Sequence, residues 1–382
     1  MLSKKIRNFI FCFLILFSST SFAFEKEKFD LIVDTDAAID DWAALLYVLN
    51  LPEQANLLGV TIPGTGEAHC APAKKNMANL VYLANREKDN IVVTCGDSVP
   101  MEGFHTFPDA WRIDMDNLFG LHIKENPTPN ILAEHSVEWL NKTLSKNKRP
   151  VVILTLGPLT NIGQLLQKYP ASAKKIKRIY MMGGAFETKG NLIIPGITDG
   201  VTNTFAEWNI WVDPLSAKIV FNSNVPVTVV SLDVTNKVQV TREFLAEQKK
   251  YLKTESAKFY DDVLEKNLDF IDSGEYYFWH VLAAAAMYLP ICHENLKTVD
   301  VVTKYDANTT GDEQMKSFGP KFSLVFDQFK TSMLNRYPFE QVESGRTVFV
   351  TTAQQQNKNH TVCSDANAKL FKEHFIKTLN AR

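Results

Sequence analysis

Leu31-Ile32-Val33-Asp34-Thr35-Asp36-Ala37-Ala38-Ile39-Asp40-Asp41 is an apolar run that leads straight into four carboxylates within eight residues. The run reads as a β-strand, and in open α/β sheets ligands bind at the carboxyl ends of strands. Acids crowded there repel one another and raise each other's pKa unless a cation neutralises them. A hard divalent cation is the simple remedy, because Ca2+ and Mg2+ take oxygen ligands. Asp40 and Asp41 also fall in the first turn of the next helix, where the macrodipole favours negative charge.

Along the chain, short apolar runs alternate with helical patterns. The run Leu31 to Val33 is followed by a helix from about Asp40 to Asn50, Leu57 to Ile62, a helix from about Pro72 to Asn85, and Ile91 to Thr94. The alternation resumes with Val151 to Leu156, a helix after Pro158, Ile176 to Met182, a helix from Pro214 to Phe221, and Val227 to Ser231. This is the βαβ signature of an α/β fold with a mostly parallel central sheet flanked by helices, and fully apolar strands imply cover on both faces. From Thr241 to about Asn267 the chain is charged and helical, and Phe278 to Leu289 reads as an apolar helix stopped by Pro290. These helices predict an accessory helical region. Residues 296–375 read as mixed β and a final helix, with no functional signal.

The chain has 382 residues, 45% of them hydrophobic and 22% charged, a globular composition. Lys4, Lys5 and Arg7 precede the apolar run Phe9 to Phe17, and Ser21-Phe22-Ala23 follows as a small-x-small cleavage pattern. Residues 1–23 therefore read as a removable signal peptide and 24–382 as one domain, secreted or periplasmic, with no stable membrane association after cleavage. Removing the leader lowers Lys+Arg from 41 to 38 against 43 Asp+Glu, a net charge of −5. That balance argues against a nucleic-acid or anionic-membrane surface. Cys70, Cys95, Cys292 and Cys363 remain, and they allow two disulfides in three connectivities or four buried free thiols. No Cys/His spacing suggests a structural zinc site.

Four blocks of sequence carry a resemblance. Asp34-Thr35-Asp36-x-x-Ile39-Asp40-Asp41 is similar to the signature of the inosine-uridine preferring nucleoside hydrolase family, which usually has Pro-Gly where this chain has Ala37-Ala38. Leu156-Gly157-Pro158-Leu159-Thr160-Asn161 follows, then Met181-Met182-Gly183-Gly184 with Gly190-Asn191, then Glu207-Trp208-Asn209-Ile210-Trp211-Val212-Asp213-Pro214. Together they cover roughly residues 30–290 in the family's order.

The resemblance implies a Rossmann-like nucleoside hydrolase fold, a homo-oligomer and an activity: metal-dependent hydrolysis of the N-glycosidic bond of ribonucleosides. It implies Asp36, Asp41 and the Leu156 carbonyl as metal ligands, with Asp36 also the base that takes a proton from the attacking water. It implies Asp40 as the contact to the ribose 2'-hydroxyl, and Met182, Asn191, Glu207 and Asn209 as groups that hold the sugar. A sugar presents several donors and acceptors, which carboxylate and amide partners read together.

The chain departs from the family in three places. Glu67, in Gly64-Thr65-Gly66-Glu67, stands near the point where the family presents an Asn close to the metal. The segment between Asn191 and Glu207 is longer, so Ile194 to Phe205 rebuild the rim. Where the family often has His-Asp, with the Asp a metal ligand, this chain has Trp279-His280. Calcium prefers oxygen to imidazole nitrogen, so His280 in the ligand set bears on which metal binds. Trp279 becomes a stacking partner for a purine leaving group, with Tyr276, Tyr277 or Trp111 beside it. The competing expectation from another class is a secreted nucleoside- or ribose-binding protein that has lost turnover.

Overall fold

Strand β1 (Phe29–Asp34) is an interior strand of the sheet, and its Leu31, Ile32 and Val33 have no exposed face. The computed structural model describes residues 28–199, 201–303, 343–350 and 359–381. The leader expected at residues 1–23 lies outside them.

The chain continues through α1 (Ile39–Leu49), β2 (Ala55–Ile62), α2 (Cys70–Leu83), β3 (Val92–Cys95), α3 (Asp109–Asp116) and α4 (Ser136–Lys146). It then runs through β4 (Val151–Thr155), α5 (Thr160–Lys168), β5 (Ile176–Met182), α6 (Trp208–Val212), α7 (Pro214–Asn222), β6 (Val227–Val230) and α8 (Leu232–Thr235). The accessory helices are α9 (Arg242–Gln248), α10 (Glu255–Lys266), α11 (Leu268–Asp272) and α12 (Trp279–Ala286). The C-terminal part adds β7 (Cys292–Val301), β8 (Thr347–Phe349), β9 (Asn359–Ala366) and α13 (Ala368–Leu379).

The strand order is β3-β2-β1-β4-β5-β6-β9-β7-β8. From β3 to β9 neighbouring strands are parallel, and β7 runs antiparallel to both β9 and β8. Pleating sends alternate residues to opposite faces. Leu31, Val33, Val152 and Leu154 enter the core on one face, and Ile32, Val151 and Ile153 enter the core on the other. That double cover is why the strands read as unbroken apolar runs rather than as alternations.

The first three strands build the sheet in one direction from β1, and β4 to β6 build it in the other. The gap between β1 and β4 is therefore the topological switch point, where a crevice opens beyond the strand ends. Asp34 is in register with Thr155, so the residues just beyond each, Asp36 and Leu156, emerge into the same crevice.

Helix α1 is buried along its whole length and packs against α12, whose Ala283 to Ala285 are buried. The helix expected over Phe278 to Leu289 is shorter, because the amides of Met287 and Tyr288 bond three residues back and tighten the chain before Pro290. The four cysteines form Cys70–Cys95 and Cys292–Cys363. No helix among the described residues is long and apolar enough to cross a membrane.

Candidate active site

Beyond β1 the chain turns sharply. Thr35 donates its amide to the Thr61 carbonyl, its hydroxyl bonds Asp41, and the same oxygen accepts from the Ala37 amide at 3.2 Å. Ala37 sits at φ +62°, in the left-handed region, which costs an L-residue about 1–2 kcal/mol. The Trp42 indole donates to the Ala37 carbonyl at 2.8 Å and helps hold the turn. Proline, fixed near φ −65°, could not adopt this conformation at position 37, so the family's Pro-Gly pair does not describe the local path here.

Asp36 is buried between two loops. An ideal Cβ at Gly157 would lie 2.6 Å from the Asp36 Cβ, and one at Gly66 would overlap it. Both positions need glycine because of this close approach. Asp36 Oδ2 accepts the Glu67 amide at 3.1 Å and the Asp36 carbonyl accepts the Ala68 amide at 3.1 Å, while Oδ1 is buried without a hydrogen-bond partner.

Asp40, Asp41 and His280 bring ligand-capable atoms within 4.8 Å of one another. His280 Nδ1 lies 2.6 Å from Asp41 Oδ2 and 3.0 Å from Asp40 Oδ2, and all three residues are buried. Desolvation works against the imidazolium, but the two aspartates outweigh it and hold the His280 pKa well above its ordinary value. Burial raises Asp36 well above the carboxylate range, and the charge of Asp41 adds to it. Asp41 is raised by burial in spite of His280. The Asp34 carboxyl is pushed up to about 7 by burial, and the Glu67 carboxyl to about 8 by burial and by Asp40 and Asp41.

This donor set fits a divalent cation. A buried, unpartnered carboxylate oxygen and several acids raised by crowding are what a bound cation would relieve. The Asp36 carboxylate stands outside the tight Asp40–Asp41–His280 group, on the side toward Glu67 and Gly157.

The other wall of the crevice comes from β5 and α6. Glu207 caps α6 by accepting the Asn209 and Ile210 amides, and its Oε2 accepts the Gly184 amide at 3.0 Å. Asn209 Nδ2 is 3.2 Å from the Leu156 carbonyl, 3.4 Å from the Met182 carbonyl and 3.4 Å from His280 Nε2. One amide therefore joins four of the residues singled out in the sequence. Asn191 lies at the start of α6, accepting the Trp208 amide at 3.1 Å through its side chain and the Trp208 indole at 3.1 Å through its carbonyl.

Trp279 is partly exposed and lies beside Tyr277, Tyr276 and Phe270 at ring separations of 5.6, 6.0 and 6.1 Å. Trp111 instead packs on Trp208 at 5.6 Å, within a rim cluster that includes Phe107, Trp211 and Ile194. Sequence reasoning missed Thr35, Gly66 and Gly157 as parts of the site. Gly157 belongs to the Leu156–Asn161 motif, but its role depends on the Asp36 side chain that it lets through.

The model of a family described as Inosine-uridine preferring nucleoside hydrolase matches residues 31–373. Over 250 residues the chain is 28% identical to "Probable uridine nucleosidase 2" of Oryza sativa subsp. japonica, covering 65% of this chain and 67% of that protein. Over 214 residues it is 33% identical to the pyrimidine-specific ribonucleoside hydrolase RihA of Escherichia coli O1:K1 / APEC, covering 55% and 62%. These alignments span 62–67% of the length of the curated relatives. Among solved structures, the purine-preferring ribonucleoside hydrolase from Gardnerella vaginalis superposes with a TM-score of 0.68 at 24% identity, over 92% of this chain and 98% of that one.

Proposed function

Because the chain belongs to the inosine-uridine preferring nucleoside hydrolase family, we propose that it hydrolyses the N-glycosidic bond of ribonucleosides, giving ribose and free base, in a metal-dependent reaction. The observation that carries this reading is the crevice itself. Buried Asp36, Asp40 and Asp41 form one wall, and Glu207, Asn209 and the Leu156 carbonyl form the other.

Cleavage needs stabilisation of a cation-like sugar, an activated water and a leaving base that does not depart as a bare anion. Asp36 is the general base, since Oδ1 is free to take a proton while Oδ2 is anchored on the Glu67 amide. Asp40, Glu207 and Asn209 hold the ribose hydroxyls, with Met182 and Asn191 completing the sugar pocket. A divalent cation held by Asp36, Asp41, the Leu156 carbonyl and His280 would acidify the attacking water and neutralise the acids. Calcium suits the oxygen donors, and the imidazole shifts the set toward borderline cations such as Zn2+ or Mn2+.

The partly exposed Trp279 offers a stacking face for the base, which supports a weak preference for purines over pyrimidines. The relatives named above include both classes, so base preference is a property to measure on this chain. Reducing-sugar release from inosine, adenosine, guanosine and uridine with added Ca2+, Zn2+ or Mn2+ tests the reading. Turnover of all four with the purines ahead is the expected result, and uridine as the preferred substrate would remove the purine assignment. Binding without release of ribose would favour a nucleoside-binding protein, a reading supported by the pairing of His280 with both Asp40 and Asp41.

The protein acts outside the cytoplasm in this proposal. The pattern Lys4 to Ala23 supports export, and the pairs Cys70–Cys95 and Cys292–Cys363 suit an oxidising compartment. The mature chain is expected to begin near Phe24, which N-terminal sequencing of protein from the extracytoplasmic fraction checks. An intact Met1 in a cytosolic fraction would sink the claim.

A further inference from the structure

Residues 344–349 lie far from the motif blocks in sequence, in a region that carries no functional signature. In the structure they run along the loop that follows β5. Thr347 and Phe349 share one face of β8, two residues apart. The Thr347 hydroxyl accepts the Ala185 amide at 3.0 Å and donates to the Ala185 carbonyl at 2.8 Å, so one side chain holds both polar groups of one residue. Phe349 stacks on the neighbouring Phe186, with ring centroids 4.4 Å apart and planes 4° from parallel.

The same segment also grips the rim and helix α6. The Ser344 carbonyl accepts from Asn203 Nδ2 at 2.8 Å, and the Arg346 guanidinium lies 4.4 Å from the Phe205 ring centroid. Gly345 approaches α6 so closely that a Cβ there would lie 2.7 Å from the Trp211 Cα. At the other edge β8 is tied to β7 through Val299–Phe349 and Val301–Thr347.

We infer that residues 344–349 are a strap that fixes the sugar wall, with Thr347 as its positioning residue. The link to the site is short. Thr347 fixes Ala185, and the adjacent Gly184, at a φ of +86° that glycine alone adopts without strain, donates its amide to Glu207 Oε2 at 3.0 Å. Thr347 touches no reacting atom, so its effect falls on how well Glu207 is aimed at the ribose. The inference rests on the proposed role of Glu207 in holding the sugar.

Thr347→Val keeps the shape of the side chain and removes both hydrogen bonds. Loss of ground-state sugar binding appears in KM rather than kcat, so KM for inosine is expected to rise about tenfold with kcat within about threefold of wild type. Amide exchange at Gly184 to Glu187 is expected to quicken, and metal affinity to stay unchanged because the strap does not touch Asp36, Asp41 or His280. Thr347→Ser restores the hydroxyl and should return KM to within about threefold of wild type. If Thr347→Val does not fold, Phe349→Leu loosens the same strap without leaving a polar group unpaired, and should raise KM by about threefold or more.

An unchanged KM in these variants overturns the inference, and so does a joint collapse of kcat and Tm that Thr347→Ser fails to rescue. Should wild type release no reducing sugar, the hydrolase reading fails on its own. Calorimetric titration with inosine then reads the strap directly, with about tenfold weaker binding by Thr347→Val expected and equal binding overturning it.

Discussion

Asp36→Asn is expected to lower kcat by about 10²–10⁴-fold, the usual worth of a positioned general base, while the fold stays intact. An asparagine oxygen can still accept the Glu67 amide that Asp36 Oδ2 accepts now, and its NH2 then occupies the place of the unpartnered Oδ1. What is lost is the ability to take a proton and a charged donor for the cation. Burial and Asp41 both oppose ionisation of Asp36, so the metal-free variant should be at least as stable as metal-free wild type. Steady-state turnover of inosine beside a thermal melt checks both parts, and retention of more than a tenth of wild-type kcat removes Asp36 from the base role.

His280→Asp is expected to act in opposite directions with and without calcium. The substitution adds a hard oxygen donor and a negative charge, so Ca2+ affinity should rise about tenfold or more, equivalent to about 1.4 kcal/mol. Binding of Zn2+ or Mn2+ should weaken with the imidazole gone. In the metal-free protein the change removes a buried countercharge from Asp41 at 2.6 Å and Asp40 at 3.0 Å and sets a third acid beside them. Breaking a buried pair in this way costs about 3–5 kcal/mol, which should lower the metal-free Tm, and added Ca2+ should restore it. Calorimetric titration and melts of both proteins with each cation read these effects. Equal metal affinity and turnover would place His280 outside the metal site.

The parallel part of the fold was legible because each strand from β1 to β6 is short, mostly apolar and followed by a helical period, and the acids after Val33 marked the ligand end of the sheet. The C-terminal strands were harder to read for a physical reason. His293 to Lys297 of β7 are exposed, so neither an apolar run nor a clean alternation marks that strand. Disulfide pairing was open among three connectivities, because sequence gives no distance between Cys70 and Cys95 or between Cys292 and Cys363.

At the site, the four motif blocks, together with the departures at Glu67 and His280, marked residues that come together at the crevice, but not which of them touch. The pairing of His280 with Asp40 and Asp41, and the amide of Asn209 bridging Leu156, Met182 and His280, depend on how α12 and α6 approach β1 and β5. Thr347 was invisible for the same reason, since it carries no signature and acts through the backbone of Ala185.

The sheet closes in an order that differs from the order of synthesis. Strand β6 ends at Val230, and its partner β9 begins at Asn359, paired through Thr228–Thr361 and Val229–Val362. Pairings across such sequence separations form late. The first helix is completed late as well: Tyr47 of α1 meets Tyr288 beyond α12, but its contacts to His374 and Phe375 come only with α13. A chain interrupted on the ribosome before β9 therefore carries an unpaired β6 edge and a partly uncovered aromatic face on α1, the features that mark a nascent protein for chaperones and proteases. Those surfaces are sealed only once the last strand and helix have been made.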